Sequence, residues 1–82
     1  MGSAMFRIRV IVSGSLRQIY KDIGTELVVD LEKPTTVREL LCIMGINPIA
    51  VASVFVNGKC KSKDYLITKN DEIVLIGPLA GG

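Results

Sequence analysis

Residues 52–61 read Ala52-Ser53-Val54-Phe55-Val56-Asn57-Gly58-Lys59-Cys60-Lys61, and this stretch decides the fold. Ala52 to Val56 is short, apolar and β-branched, the composition of a buried strand. Asn57-Gly58 follows at once, and both residues tolerate the positive φ that a type I′ turn requires at its two central positions. The stretch therefore predicts a β-hairpin whose second arm is Lys59-Cys60-Lys61. Lys59, Lys61 and Lys63 alternate along that arm. This is the pattern of an edge strand protected by charge, and three lysines on one side would also suit an acidic partner surface.

Upstream of the hairpin, Thr36-x-x-Glu39 has the form of a capping box, in which the hydroxyl accepts the Glu39 amide and the carboxylate reaches back to Thr36. Val37, Leu40, Leu41 and Met44 continue at i, i+3, i+4, i+7, the spacing of one helical face. Gly45 suits the left-handed residue that closes a helix, with Pro48 shortly after. A helix this short survives by packing on a sheet. Earlier still, Phe6, Ile8, Val10 and Val12 alternate with Arg7, Arg9, Ile11 and Ser13, which predicts a half-buried strand. Ser13-Gly14-Ser15 opens a loop in which no convincing helix is expected, and Leu16, Ile19 and Ile23 would pin it against the sheet edge. Leu27, Val29 and Leu31 mark a second strand, antiparallel to the first.

Downstream, Asp64-Tyr65-Leu66-Ile67 reads as an irregular connection. Lys69-Asn70-Asp71-Glu72 reads as a turn in which Asn70 can take positive φ. Ile73 to Ile76 form a last strand, which Gly77-Pro78 ends. The order is strand, strand, helix, strand, short strand, strand. It predicts an α+β domain of two layers, with the first and last strands side by side and one helix on the inner face.

The chain has 82 residues, 49 % hydrophobic and 22 % charged, with a mean hydropathy of +0.44. That composition excludes intrinsic disorder and allows one domain. A net charge of +2 is too small to argue for nucleic acid or an anionic membrane. There is no histidine and no tryptophan, so a Ser-His or Cys-His pair is excluded, and a zinc site would lack its usual partners. Cys42 and Cys60 read as free thiols, small core or half-exposed residues, not a disulfide framework. The uncharged run from Leu40 to Gly58 is broken by Gly45-Ile46-Asn47-Pro48, so no membrane segment is expected. No secretory signal is visible and a cytoplasmic protein is expected. Met1-Gly2-Ser3-Ala4 ahead of Met5 reads as a cloning remnant. The expected organisation is a remnant over 1–4, a folded domain over 5–77 and a flexible tail over 78–82.

Few residues offer chemistry. Asp71 and Glu72 are adjacent and, like Asp30 and Glu32, are expected in solvated turns; neighbouring acids on a strand point to opposite faces and do not pair. Ser13-Gly14-Ser15 is too short for a phosphate cradle. If Val54, Val56, Ile73, Leu75 and Phe6 to Val12 face the helix, then Phe55, Val74, Ile76 and Ile11 face away. An outer face open to water should be polar, so this group reads as a partner surface; a slip of one residue in the strand phase would be the other explanation. The tail carries no charged side chain, and Gly81 and Gly82 can thread a narrow channel.

Val54-Phe55-Val56-Asn57-Gly58-Lys59, Leu66, Lys69-Asn70-Asp71-Glu72-Ile73-Val74 and Gly77-Pro78-Leu79-Ala80-Gly81-Gly82 together resemble the ubiquitin-like sulfur-carrier family, which includes the small subunit of molybdopterin synthase and the thiamine-pathway carrier. The resemblance spans Met5 to Gly82, and its specific part is the last thirty or so residues. Asn70 stands where the family usually has glycine. The resemblance implies a β-grasp fold, with a mixed sheet of four to five strands and one main helix packed on one face. It also implies that the chain is no enzyme but the substrate of one, or the small non-catalytic subunit of a synthase.

In such proteins the carboxyl of the last glycine, here Gly82, is adenylated with ATP by a ubiquitin-activating-like enzyme and converted to a thiocarboxylate. The carrier binds no cofactor; the ATP is used by the activating enzyme. Gly81, Ala80, Leu79 and Pro78 would thread the partner's active site. Phe55, Val74, Ile76 and Ile11 would dock the body of the domain, first on the activating enzyme and then on a sulfur-accepting synthase subunit. Ser13-Gly14-Ser15-Leu16-Arg17 and Pro78 look more like the molybdopterin protein; the short helix and the compact Gly45 to Ala52 connection look more like the thiamine one. A protein modifier joined through Gly82 to lysines, and a β-grasp binding module with an inert tail, are the competing readings.

Overall fold

The alternation at the start of the chain becomes β1 (Phe6–Ser13), which buries Ile8, Val10 and Val12 on one face. The computed structural model describes residues 5–78. The expected remnant Met1 to Ala4 and the tail residues Leu79, Ala80, Gly81 and Gly82 lie outside the described residues. After β1 come α1 (Leu16–Ile19), β2 (Glu26–Leu31), β3 (Thr35–Thr36), α2 (Val37–Met44) and a 3-10 turn at Pro48–Ala50. The chain continues as β4 (Ser53–Val56), β5 (Lys59–Lys61), β6 (Leu66–Ile67) and β7 (Glu72–Ile76).

Five strands form one mixed sheet in the order β2-β1-β7-β4-β5. β1 and β7 pair in parallel, with Val10 opposite Ile73 and Val12 opposite Leu75, and the other pairs are antiparallel. A parallel pair needs a long crossover, and everything between β1 and β7 serves as one. This is the α+β, β-grasp arrangement that the resemblance implies, with first and last strands adjacent.

α2 packs Val37, Leu40 and Leu41 wholly out of solvent, joining Ile8, Val10, Ile73, Leu75, Val54 and Val56 in the core. Its ends are closed as the sequence predicts. Thr36 and Glu39 make both hydrogen bonds of the capping box, and Gly45 adopts φ 79°, its N–H reaching the carbonyls of Leu41 and Cys42. At the hairpin turn Asn57 (φ 52°) and Gly58 (φ 85°) are both left-handed, as type I′ demands.

Several expectations are corrected. The loop after Ser13 contains a one-turn helix, α1, because wholly buried Leu16 anchors it; Ile19, expected to help, is 58 % exposed. Leu66-Ile67 is no irregular connection. It pairs with Thr35-Thr36 as a small second sheet and buries Ile67 completely. Asn57 is the one non-glycine residue at positive φ among the described residues, so Asn70 is not left-handed; its side-chain carbonyl instead accepts the Arg7 N–H at 2.7 Å. Cys42 and Cys60 are both exposed free thiols, outside the core.

Asp71 departs furthest from expectation, since it is buried and not solvated. Its Oδ1 accepts a hydrogen bond from Asn57 Nδ2 at 2.7 Å, while Asn57 Oδ1 accepts the Glu72 N–H at 3.0 Å. The Asn57 N–H donates to the Glu72 carbonyl at 2.8 Å, and the Arg9 N–H to the Asp71 carbonyl at 3.1 Å. The asparagine of the hairpin turn thus supplies the buried carboxylate with a donor. The second carboxylate oxygen, Oδ2, is buried with no hydrogen-bond partner.

Candidate functional site: the outer sheet face and the root of the tail

Strand pairing sets the outer face row by row. Ile11 stands opposite Val74, Val74 opposite Phe55, and Phe55 opposite Cys60. Ile76, two residues beyond Val74 on the same face, lies between Ser13 and Ser53. Ile11, Phe55, Val74 and Ile76 are all half-buried, while their neighbours along each strand are in the core. The phase of the strands is therefore as expected, and these four side chains form one apolar group away from α2.

The other end of the same face is ionic. Arg7 meets Asp30 at 3.1 Å, and Arg9 bridges Glu26 and Glu72, the latter at 3.4 Å. Hydrogen bonds from Arg9 to Glu26 and from Arg7 to Asp30 hold both guanidinium groups even more firmly protonated than usual. Exposed pairs of this kind contribute little to stability. Their effect is to divide the face into a charged half and an apolar half, and the apolar half is where β7 ends.

From Ile76 the chain passes through Gly77, which is buried, to exposed Pro78. A Cβ on Gly77 would stand 2.6 Å from Ser15 Oγ, closer than atoms pack, and a tight 3.0 Å from both Cγ and N of Leu16. Ser15 Oγ donates to the Pro78 carbonyl at 2.7 Å. Ser15 occupies the N-cap position of α1, where a serine hydroxyl ordinarily accepts an amide of its own helix. Here it makes no such cap, and its hydroxyl serves the tail. Gly14, at φ +69°, faces the same strand end, since a Cβ placed on it would stand 3.8 Å from the Gly77 nitrogen. Ser13 Oγ adds a bond to the Leu75 carbonyl at 3.3 Å. Two serines, a turn glycine and a buried leucine thus fix the direction in which residue 78 leaves the domain.

The sequence points to Pro78 and the apolar group, and these prove adjacent. Ser15 and Gly77 as the pair that aims the tail were missed; the flanking serines of Ser13-Gly14-Ser15 were the signal. The three lysines do not form one row. Lys59 and Lys61 lie on β5 opposite Val56 and Val54, with Lys61 Nζ 5.7 Å from the centre of the Tyr65 ring. Lys63 lies beyond the strand, its carbonyl accepting the Arg38 N–H at 2.8 Å. Among the described residues no three His, Cys, Asp or Glu side chains are grouped to hold a metal ion. No described helix is long and apolar enough to cross a membrane.

The sequence profile of the ThiS family matches residues 10–82, which takes in the apolar face, the Ser15 loop and the tail. The chain belongs to the ThiS family. This is the ubiquitin-like sulfur-carrier family that the sequence resembles. No curated protein sequence matches it. Solved structures share the fold at low identity. SAMP1, the small archaeal modifier protein 1 of Haloferax volcanii, is 19 % identical with a TM-score of 0.69, over 93 % of this chain and 99 % of that one. Urm1 of Trypanosoma brucei is 20 % identical with a TM-score of 0.70, over 99 % of this chain and 100 % of that one. A Pyrococcus furiosus protein described as molybdopterin converting factor, subunit 1, is 17 % identical with a TM-score of 0.67, over 90 % of this chain and 99 % of that one. In ThiS-family terms the Ser15–Pro78 contact lies at the base of the segment that ends in Gly81-Gly82.

Proposed function

We propose that this ThiS-family chain carries sulfur on the carboxyl of Gly82 and donates it in cofactor biosynthesis, with the molybdopterin pathway favoured and the thiamine pathway as its alternative. The observation that carries the reading is the aimed tail root beside an apolar face, followed in sequence by a run without charge that ends in two glycines. A carboxylate is a poor electrophile, being anionic and resonance-stabilised. ATP, used by an activating enzyme, converts it to an acyl-adenylate with loss of pyrophosphate. Sulfide (HS⁻) then attacks the acyl carbon, the C–O bond to AMP breaks with AMP leaving, and loss of the remaining S–H proton leaves a thiocarboxylate.

The carrier's part in this is geometry. Ile11, Phe55, Val74 and Ile76 dock the domain, Ser15 and Gly77 aim Pro78, and Leu79, Ala80, Gly81 and Gly82 reach the partner's active site. No step needs an acid or base from the carrier, which is why a chain lacking histidine can serve. Activating enzyme and sulfur-accepting synthase would use the same face in turn, in a cytoplasmic setting. The Ser13–Arg17 loop and Pro78 favour the molybdopterin destination.

The test is incubation with the activating enzyme, ATP and a sulfide source, read by mass spectrometry of the intact protein. A gain equal to exchange of one oxygen for one sulfur is expected, and removal of Gly82 should abolish it while leaving the melting temperature unchanged. Retained adenylation without Gly82 would sink the mechanism. A second reading, a modifier joined through Gly82 to lysines, is favoured by the likeness to SAMP1, a protein named as a modifier. Conjugates of higher mass in cell extract would select it.

A further inference from the structure

A groove of about 480 Å³ lies beside the tail root, and the function proposed above gives it no occupant. Its walls come from α1 and from the residues that lead into β2, and they include Gly14, Arg17, Gln18, Tyr20 and Lys21. The lining contains two cations and no acid. Arg17 and Lys21 are exposed and enter no ion pair among the described residues, whereas Arg7, Arg9 and Arg38 are each matched to a carboxylate. Asp22 follows Lys21 in the chain but stands outside the lining, and Glu26 is engaged by Arg9, so the wall of the groove itself carries positive charge alone. Tyr20 is held as a wall, its hydroxyl accepting the Asn47 N–H at 2.9 Å.

We propose that this groove receives an acidic segment of the activating enzyme that handles the tail, with Arg17 and Lys21 as the contacts. The proposal rests on the activation of Gly82 argued above. Position supports it: Gly14 is shared between the groove and the approach to Gly77, and the next residue, Ser15, grips Pro78. Thr25, on the opposite rim, leads directly to Glu26, which pairs across the strands with Ile11 of the apolar face. A protein seated on that face and drawing the tail inward therefore meets the groove. Charge supports it too. The tail has no charged side chain and the apolar face has no polarity, so neither orients an approaching enzyme from a distance. Two unmatched cations in a concavity do so, and they select carboxylates.

The experiment is ATP–pyrophosphate exchange with the full chain and its activating enzyme, comparing wild type with Arg17→Glu/Lys21→Glu. At low ionic strength the double reversal should raise KM for the carrier roughly 10-fold with kcat little changed, and the difference should shrink as salt is added. The neutral pair Arg17→Gln/Lys21→Gln should give a smaller rise of the same kind. Lys33→Glu/Lys69→Glu, an equal charge change elsewhere on the surface, should leave KM near wild type, and circular dichroism verifies that each variant is folded. An unchanged KM in the reversed variant, or the same rise in the Lys33/Lys69 control, overturns the proposal. A rise in KM for ATP alone also overturns it, by making the nucleotide phosphates the anion. Absence of exchange with wild-type protein brings down the activation of Gly82 itself, and the groove assignment with it.

Discussion

Gly77 and Asn57 show two different reasons for a residue to be irreplaceable. At Gly77 the constraint is space. Alanine there would press its methyl on Ser15 Oγ and on the backbone of Leu16, and overpacking of this kind costs about 1–3 kcal/mol. Gly77→Ala should lower the melting temperature by several degrees and slow activation further than the stability loss explains. Ser15→Ala, which removes only the bond to Pro78, should slow activation with a stability change of about 1 kcal/mol or less. Equal rates for Ser15→Ala and wild type would mean that the tail's direction is immaterial. At Asn57 the constraint is a backbone angle together with two side-chain bonds, one of them to a buried carboxylate. Asn57→Ala leaves Asp71 Oδ1 unpaired and should cost about 2–3 kcal/mol in a denaturant titration. Asn57 was legible from its place before Gly58. Gly77 was not, because the atoms that require it belong to a loop 62 positions earlier.

Among the elements, α2 is the one whose limits the sequence states outright, and its start titrates. The Glu39 carboxylate is held below its ordinary value of 4.5, first by the Thr36 N–H, then by the Thr36 hydroxyl, with Lys33 adding to it. A folded value below the unfolded one stabilises the helix start above the unfolded pKa, and this is lost as pH falls through the lowered folded value. An NMR titration should place the Glu39 midpoint below 4.5, with Val37 and Arg38 moving toward coil shifts over the same range. Thr36→Ala should return the midpoint toward the ordinary value, and a midpoint unmoved by that change would remove the capping box as its cause. The long elements were legible because each repeats its period several times: β1 alternates over eight residues, and α2 closes between a box and a glycine. α1 has four residues and β3 and β6 two each. Segments so short carry no period, and only the tertiary burial of Leu16 and Ile67 produces them.

For the molecule as a whole, the apolar outer group and the side-by-side first and last strands were legible, and the hold on the tail root was not. The hold of Ser15 on Pro78 joins segments 63 positions apart, which no local pattern encodes. That arrangement makes a test available. Ile76→Asp, at the edge nearest the tail, should weaken binding to the activating enzyme by about 10-fold or more. Phe55→Ala should weaken it several-fold, with both proteins melting within a few degrees of wild type. Titration calorimetry supplies the affinity. A large loss of thermal stability with affinity intact would assign these side chains to the fold and not to an interface.

The parallel pairing of β1 with β7 has a practical corollary. Ser13 sits across from Ile76, so Phe6, at the start of an eight-residue strand, lies roughly 23 Å away along the sheet. An affinity handle or fluorophore fused ahead of Met5 would ride at the pole opposite Pro78. A chip or bead gripping the molecule there would leave Pro78 and the apolar half of the outer face open to an enzyme supplied in solution.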